Sequence, residues 1–271
     1  MGGVIVDFLN RLRPFMRKEG LDILSQAYIA QSGLGGVGGV TFQALVRSGV
    51  RRFRLAENGI FDPPDMNRQP GASGSTMGRP KLDVYVEWAR SINPSIELEL
   101  YPQGISVDNI EEFLQGTEVY IGVIDMEKGQ DVKAKSDELA RRMGIPLFTA
   151  GAIGFGTLSV NYHPEGMAPA EFWSKVKGQG PNDGILPVMI AEKFHPEIMA
   201  RLKQGVAQGI LSTSSVGANM AGTVLANEVI TYLLQPLGWI GREPVFAPRY
   251  LVLDLLNLTM KIESVDDCGN K

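Results

Sequence analysis

Cysteine and histidine are scarce in this chain: Cys268 is the single cysteine among 271 residues, and there are two histidines. One cysteine excludes an internal disulfide, a CxxC pair and a zinc site built from cysteines, so we expect no structural zinc. The sequence also lacks any apolar run of about 18 residues, the minimum for a membrane-spanning helix, and it shows no secretory leader. These absences predict a cytoplasmic protein with no membrane partner.

An excess of charge of one sign is missing as well. The net charge is −4 and the pI is about 5.4, so no strong field attracts polyanions. We therefore expect no nucleic-acid partner, and a bound nucleotide would have to be held by a few local cations. The hydrophobic fraction of 44% is ordinary for a globular protein. We predict a helical lead-in over residues 1–26 and a single domain over residues 27–271.

Between Ala27 and Val160, short apolar runs alternate with helix-length amphipathic stretches. Because parallel strands need a crossover between them, this alternation predicts a Rossmann-like α/β fold with a doubly wound, mainly parallel sheet and a C-terminal extension. The predicted strands are Ala27–Ser32, Arg52–Glu57, Ile96–Tyr101, Glu118–Asp125 and Pro146–Ala150, with Gly156–Tyr162 as a possible sixth. The predicted helices are Gly38–Arg47, Pro80–Ile92, Asp108–Leu114 and Val132–Met143.

The second half of the chain carries weaker signals. The stretch Pro164–Asp183 is rich in glycine, proline and lysine, and we predict a long connecting loop there. The stretch Ser212–Leu234 begins with hydroxyl residues and becomes apolar, with small side chains along one face. That pattern predicts a buried helix suited to close packing against a sheet or a nucleotide. A last strand is predicted at Arg249–Leu255.

A glycine-rich motif follows the first predicted strand and opens the first predicted helix of the sheet. It matches G-x-G-x-x-G and reads Gly33-Leu34-Gly35-Gly36-Val37-Gly38. In this setting the first glycine permits a tight turn, the second lets the backbone approach a phosphate, and the third lets the helix pack on the strand. Glu57 ends the next strand about 20 positions later, where a ribose-binding carboxylate belongs. The motif therefore predicts nucleotide binding, with a ligand-free tight turn as the alternative.

Three charged residues indicate that the bound nucleotide is ATP and not a dinucleotide. Arg68 and Lys81 supply cations of the kind that neutralise charge building up on phosphate oxygens during displacement, a need that a dinucleotide site does not have. Asp125 ends the fourth predicted strand, where a carboxylate could hold Mg²⁺ through oxygen or water ligands. Solvated cations and a helix cap are the alternatives for these residues. Arg79 is interpreted as a surface cation.

Together these residues resemble the ThiF/MoeB/E1-like (ubiquitin-activating-type) adenylyltransferase superfamily. The resemblance runs from about residue 25 to residue 158 and, more loosely, through residues 212–234. Family members show a G-x-G-G-x-G loop, an acidic strand end leading into N-x-x-R-Q, a G-x-x-K helix start, an N-P turn and an aspartate ending the fourth strand. The matching positions here are Gly33–Gly38, Glu57-Asn58-Gly59, Asp65-Met66-Asn67-Arg68-Gln69, Gly78–Lys81, Asn93-Pro94 and Asp125.

The resemblance implies an ATP-dependent enzyme that adenylylates the carboxylate of a small protein, peptide or metabolite for transfer to an external nucleophile. It also implies a homodimer, with Arg11, Arg13 and Arg17 as candidates to reach a partner's site. Catalysis would fall to Arg68, Lys81 and Asp125, and Asp125 would hold Mg²⁺. ATP would be held by Gly33, Gly35, Gly36, Gly38, Glu57, Asn67 and Gln69.

Several positions depart from the family pattern. Glu57-Asn58-Gly59 replaces D-x-D, and Asp65 replaces the usual asparagine before Arg-Gln. Gln31 and Ser32 stand in a strand that is usually apolar. Apart from Cys268, no cysteine follows the fourth strand to accept an acyl group, so the nucleophile would come from another molecule.

Two alternatives stay open. A catalytically silent subunit paired with an active enzyme is favoured by the missing second carboxylate of D-x-D. An NAD-binding oxidoreductase would use the same glycine loop, but it would not require Arg68, Lys81 and Asp125 together, and no proton-transfer residue for it stands out.

Overall fold

A computed structural model describes residues 7–124, 129–178, 186–210 and 212–267. A five-stranded parallel sheet forms the first half, in the order β3-β2-β1-β4-β5. Its strands are β1 (Tyr28–Ser32), β2 (Arg52–Ala56), β3 (Glu97–Tyr101), β4 (Val119–Gly122) and β5 (Leu147–Phe148). The strand order reverses between β1 and β4, and a switch point of this kind is where α/β sheets bind ligands. The predicted Rossmann-like, mainly parallel sheet is confirmed.

Helices cover both faces of this sheet. They are α1 (Arg13–Gln26), which leads in, α2 (Gly36–Arg47), α3 (Lys81–Ile92), α4 (Ile110–Leu114) and α5 (Gln130–Arg142). One face packs Ile29 and Phe53 against Phe42 of α2. The other face packs Tyr120 against Phe113 of α4. Because both faces are covered at the centre of the sheet, β4 is apolar throughout, whereas the edge strand β3 alternates glutamate with apolar residues.

A second, antiparallel sheet follows. Its strands are β6 (Ala150–Ile153), β7 (Gly156–Ser159), β8 (Arg249–Asp254) and β9 (Thr259–Ser264), in that order. The possible sixth strand, Gly156–Tyr162, is confirmed over Gly156–Ser159, but it pairs with β6 and β8 and does not extend the parallel sheet. Only Gly154 and Phe155 separate β7 from β6, which is enough for a hairpin but too short for the crossover that parallel strands require.

The predicted loop Pro164–Asp183 contains a helix, so the loop prediction was wrong over that part. Helix α6 spans Pro169–Gly178 and buries Phe172 and Val176, which lie four residues apart on one face. Residues 179–183 lie outside the described residues. Two further helices, α7 (Val188–Ala191) and α8 (Pro196–Ala207), pack with α6 against the second sheet.

Helix α9 spans Ser215–Leu234 and confirms the buried helix predicted from the small-residue pattern. Ser214 caps its start, because the side-chain oxygen accepts the N–H of Gly217 at 2.9 Å. A Cβ added at Gly222 would lie 2.5 Å from the Cβ of Val40 in α2, so the two helices approach closely only because this residue is glycine. Within the described ranges no helix is both long and apolar enough to cross a membrane.

Candidate nucleotide-binding site

The glycine turn follows β1 at the carboxyl edge of the parallel sheet. Gly33 adopts a φ of +93°, which favours glycine, and its N–H donates to the carbonyl of Ala56 at 2.9 Å. A Cβ at Gly33 would lie 2.6 Å from the carbonyl oxygen of Val123. A Cβ at Gly38 would lie 2.1 Å from the carbonyl oxygen of Gly33. Both glycines are therefore required by the backbone packing of the turn itself.

The turn opens into the N-terminus of α2, which has no side-chain cap and no acidic residue in its first turn. Gly35 stands at the N-cap, and the nearest atom to a Cβ placed there is Nε2 of Gln69 at 3.9 Å. A Cβ at Gly36 would meet Ala218 of α9 at 3.2 Å and Arg68 at 3.4 Å. The first N–H groups of a helix left uncapped in this way can bind an anion.

Gln31 stabilises the glycine turn through hydrogen bonds from its side-chain amide. Its side chain is fully buried, and its Nε2 donates to the carbonyls of Gly33 at 3.1 Å and Gly38 at 2.8 Å. The two ends of the glycine motif are thus tied to one amide. The sequence marked Gln31 only as a polar departure in an apolar strand, and its role in the loop was missed.

Next to Gln31, Ser32 joins β1 to β4 at the same edge. Its hydroxyl is 2.9 Å from the hydroxyl of Tyr120, and both side chains are buried. Burial raises the pKa of Tyr120 to about 12, and the hydrogen bond from Ser32 only partly opposes that rise. The phenol therefore stays neutral at physiological pH, and its hydrogen bond links β1 to β4, the two strands that flank the switch point.

Glu57, predicted to bind ribose, lies just after β2 and faces the glycine turn. One carboxylate oxygen accepts the N–H of Leu34 at 2.7 Å, and the other accepts the N–H of Gly59 at 2.7 Å. The carboxylate therefore fixes the glycine turn directly. A ribose-binding role for Glu57 stays a prediction.

The cations Arg68 and Lys81 converge on the carboxylate of Asp65, which is 5% exposed. Lys81 Nζ lies 3.0 Å from Oδ2, and Arg68 Nη2 lies 3.4 Å from Oδ1. The side chain of Lys81 is 13% exposed and its ammonium sits 5.6 Å from the ring centroid of Phe61. The buried Gln69 also donates its amide to Oδ1. Asp65 thus joins three of the predicted site residues, and sequence reasoning did not assign it a role.

Local structure explains why these side chains meet. Asp65 lies in a short 3₁₀ helix, Pro63–Asn67, whose start is closed by a reciprocal capping pair between Asp62 and Asp65. Arg68 and Gln69 follow at spacings of three and four, which return a side chain to the same face of a helical turn. Lys81 comes from the first position of α3, where its N–H donates to the carbonyl of Gly59 at 2.9 Å.

The other predicted residues are placed as follows. Asn67 is exposed and donates its side-chain amide to the carbonyl of Thr213 at 3.0 Å, just before α9. Arg79 pairs with the exposed Glu87 at 2.5 Å, as expected of a surface cation. Asp125, predicted to hold Mg²⁺, and Cys268 both lie outside the described residues. Among the described residues, no group of three or more metal-binding side chains is placed to hold a metal ion.

Comparisons with known proteins identify the family and the fold of this chain. A sequence model of the ThiF family matches residues 9–270. The chain belongs to the ThiF family. It is 38% identical over 96 residues to a tRNA threonylcarbamoyladenosine dehydratase of Bacillus subtilis, covering 35% of this chain and 38% of that protein. It is 27% identical over 152 residues to a sulfur carrier protein adenylyltransferase of Thermus thermophilus, covering 56% of this chain and 55% of that protein.

This ThiF-family chain thus spans between 38% and 55% of the length of those two relatives. Its fold is similar to that of Escherichia coli MccB solved with ATP, at a TM-score of 0.64 and 15% identity, covering 91% of this chain and 66% of that one. An identity that low establishes the shared fold alone.

Proposed function

We propose that this ThiF-family protein uses ATP to adenylylate a carboxylate on a small protein, peptide or metabolite. The observation that carries the proposal is the convergence of Arg68 and Lys81 beside the uncapped N-terminus of α2. Two cations and a helix N-terminus at the switch point of a parallel sheet form a suitable environment for a polyphosphate. The match of a ThiF family model to residues 9–270 supports the same conclusion.

The reaction follows from the chemistry of the two partners. An oxygen of the substrate carboxylate attacks the α-phosphorus of ATP, and the bond from that phosphorus to the bridging oxygen breaks. Pyrophosphate leaves with the electron pair, and the carboxylate remains as a mixed anhydride with AMP. Arg68 and Lys81 would stabilise the charge that grows on the phosphate oxygens and on the departing pyrophosphate. Asp125 would hold Mg²⁺, which neutralises further phosphate charge when bound.

The anhydride then needs a nucleophile from another molecule. Relatives indicate the range of carboxylate substrates: the Thermus thermophilus protein is named for a sulfur carrier protein and the Bacillus subtilis protein for a modified adenosine of tRNA. In a threonylcarbamoyl group the threonine is attached through its nitrogen and keeps a free carboxylate, so a tRNA-linked substrate is the second candidate. The net charge of −4 disfavours it, because tRNA binding is dominated by phosphate contacts.

Pyrophosphate exchange into ATP tests the reaction, because exchange requires reversible adenylate formation. We expect wild-type protein to catalyse exchange with one member of a panel of carrier proteins, peptides and tRNA. Lys81→Ala and Asp125→Asn should each reduce the rate by about a hundredfold or more. Arg79→Ala is the matched control, since this neighbouring cation pairs with Glu87 at the surface. Exchange that survives both substitutions would reject the site assignment.

Nucleotide titration separates the alternatives. We expect calorimetry to show binding of Mg-ATP and weaker binding of NAD, whereas tight binding of NAD alone would support the oxidoreductase. Binding of Mg-ATP without exchange on any substrate would support the silent subunit.

A homodimer is also proposed, and sedimentation equilibrium would test it. Mixing Lys81→Ala with a triple alanine variant of the N-terminal arginines should restore exchange if an arginine crosses between subunits. The triple variant replaces Arg11, Arg13 and Arg17.

A further inference from the structure

Asp65 is a residue for which the adenylylation chemistry has no direct use. It is buried, it carries negative charge, and it lies among the groups proposed to bind a polyanion. A carboxylate within about 6 Å of a phosphate disfavours phosphate binding through like-charge repulsion. Its presence at this position therefore requires a physical reason.

The reason lies in the four donors that surround it. Oδ2 accepts Lys81 Nζ at 3.0 Å and the N–H of Asp62 at 3.3 Å. Oδ1 accepts Arg68 Nη2 at 3.4 Å and the amide of Gln69. All four partners are donors, so a carboxylate satisfies them, whereas an asparagine would direct its own N–H₂ at two of them. Asp65 is matched to this set of neighbours as an anion.

The cations need this counter-charge when no nucleotide is bound. The side chains of Lys81 and Arg68 are 13% and 28% exposed, so water screens them poorly. Two poorly solvated cations without a counterion repel each other and lose the energy of hydration. The carboxylate of Asp65 supplies the negative charge that a phosphate would otherwise bring, at the place where both cations can reach it.

We propose that Asp65 is a positioning residue that substitutes for phosphate in the unliganded site, fixing Arg68 and Lys81 for catalysis while weakening nucleotide binding. This proposal rests on the proposed function, and it concerns how a charged residue of that same site sets the affinity for nucleotide. Lys81 has three N–H donors, so it can contact a phosphate while it stays paired with Asp65. The bound state then holds the carboxylate and the polyphosphate close together, which is the source of the weaker affinity.

Asp65→Asn separates the two effects, because it removes the charge and keeps the size. We expect the dissociation constant of a non-hydrolysable ATP analogue, and that of inorganic pyrophosphate, to fall by about three- to tenfold. We expect kcat for pyrophosphate exchange to fall at least threefold, since the cations are less well fixed. A purely structural residue would weaken binding and slow turnover together, so tighter binding combined with slower turnover is diagnostic.

Asp62→Asn is the matched control. It makes the same charge change three residues away, asparagine is as good an N-cap as aspartate, and the side chain of Asp62 is exposed. Both constants should stay within about twofold of wild type. Should Asp65→Asn fail to fold, wild-type protein with ¹⁵N-labelled arginine provides the measurement. The Arg68 guanidinium signal should show restricted rotation before ligand is added and should shift on addition of pyrophosphate.

The outcomes keep the two proposals distinguishable. If wild-type protein binds ATP and Asp65→Asn binds it no more tightly, the role of Asp65 is rejected and adenylylation stands. If wild-type protein binds no ATP while Asp65→Asn gains pyrophosphate affinity, the role of Asp65 stands and adenylylation is rejected. If neither protein binds either ligand, or if the Arg68 signal is mobile and unresponsive, the role of Asp65 is rejected.

Discussion

Two clusters of charged residues lie at opposite ends of the parallel sheet, and they are built differently. The carboxyl-end cluster consists of Asp65, Arg68 and Lys81. The amino-end cluster consists of Tyr28 with Arg52, Arg54, Glu97 and Glu99, near the starts of β1, β2 and β3. Each contains arginine–carboxylate pairs, so a count of ion pairs would not tell them apart.

In the amino-end cluster each arginine has its own carboxylate. Arg52 pairs with Glu97 at 3.2 Å and Arg54 with Glu99 at 2.8 Å. Both guanidinium groups also stack over the ring of Tyr28, at 4.7 and 5.2 Å. The glutamate side chains are 61% and 46% exposed. This cluster is electrically balanced, and its charged side chains are more than 40% exposed except for that of Arg54, which is 11% exposed. The exposed pair of Arg52 and Glu97 adds little stability.

In the carboxyl-end cluster two cations share one carboxylate, and all three side chains are at most 28% exposed. The two cations therefore share one buried carboxylate in a place where water screens charge poorly, beside a helix N-terminus, with Glu57 as a second carboxylate nearby. Under the proposed function, we expect ligand binding to follow the sharing and burial of charge and not the number of ion pairs.

The carboxyl-end cluster depends on the glycine turn, and Gly38→Ala should have the largest effect. A Cβ there would lie 2.1 Å from the carbonyl oxygen of Gly33, so the turn has to move. We expect the free energy of unfolding to fall by about 3 kcal/mol and nucleotide binding to be lost, as measured by urea unfolding and calorimetry. Gly74→Ala is the control, because no atom lies within 4 Å of a Cβ at that position. Equal stability of the two variants would contradict the packing argument.

Removing one arginine from each cluster tests the comparison directly. Arg68→Gln should weaken binding of an ATP analogue by about ten- to a hundredfold, because a charged donor to phosphate is lost from a poorly solvated site. Arg52→Gln should leave that affinity unchanged and should lower the free energy of unfolding by less than about 1 kcal/mol. Calorimetry gives the first result and urea unfolding the second. Similar losses of affinity in both variants would show that only overall charge matters.

The smallest effect concerns Glu99 and its dependence on pH. Burial would raise the pKa of Glu99, but the hydrogen bond from Tyr28 and the ion pair with Arg54 outweigh it, so the pKa lies below its ordinary value. A carboxylate whose pKa is lowered in the folded state stabilises the protein at pH values above its ordinary pKa. This stabilisation is lost as the pH falls through the folded-state pKa. The free energy of unfolding of wild type should therefore exceed that of Glu99→Gln by less than about 1 kcal/mol at pH 7.

This difference should shrink as the pH falls through the folded-state pKa, as followed by urea unfolding at pH 7 and at a series of acidic pH values. Glu97→Gln is the companion variant. That carboxylate is more exposed, and its difference from wild type should be smaller at pH 7.

Much of the parallel sheet was predictable because its signals are local. The strands are short runs of apolar or alternating charged and apolar residues, and the glycine motif lies at the junction of β1 and α2, as expected. The positions of Arg68 and Lys81 beside that junction follow from the family pattern. Their assignment to catalysis stays a prediction, as does that of Asp125.

The missed features depend on contacts between distant segments. Strand β7 pairs with β8, which begins some ninety residues later, and no local pattern indicates that pairing. Helix α6 was predicted as a loop because the segment is rich in glycine and lysine, although Phe172 and Val176 have helical spacing. The spacings of three and four residues from Asp65 to Arg68 and Gln69 indicate that these side chains share one face of a helical turn. The pairing of Asp65 with Lys81 could not be predicted in this way, because the fold brings Lys81 in from another element.

The hydrogen bond from Asn67 to Thr213 has a consequence for the order of folding. It joins segments 146 residues apart, and the bond from Ser214 to Gly154 closes another 60-residue separation at the same place. Contacts between distant segments form late, because the entropy of closing the chain opposes them until other packing is complete. Helix α9 also supplies Leu225, Ala226 and Val229 to the core on one face of the parallel sheet, so that face is completed only when this helix docks. Under the proposed function, nucleotide affinity should appear only after α9 docks, and its appearance would provide a signal for that late step.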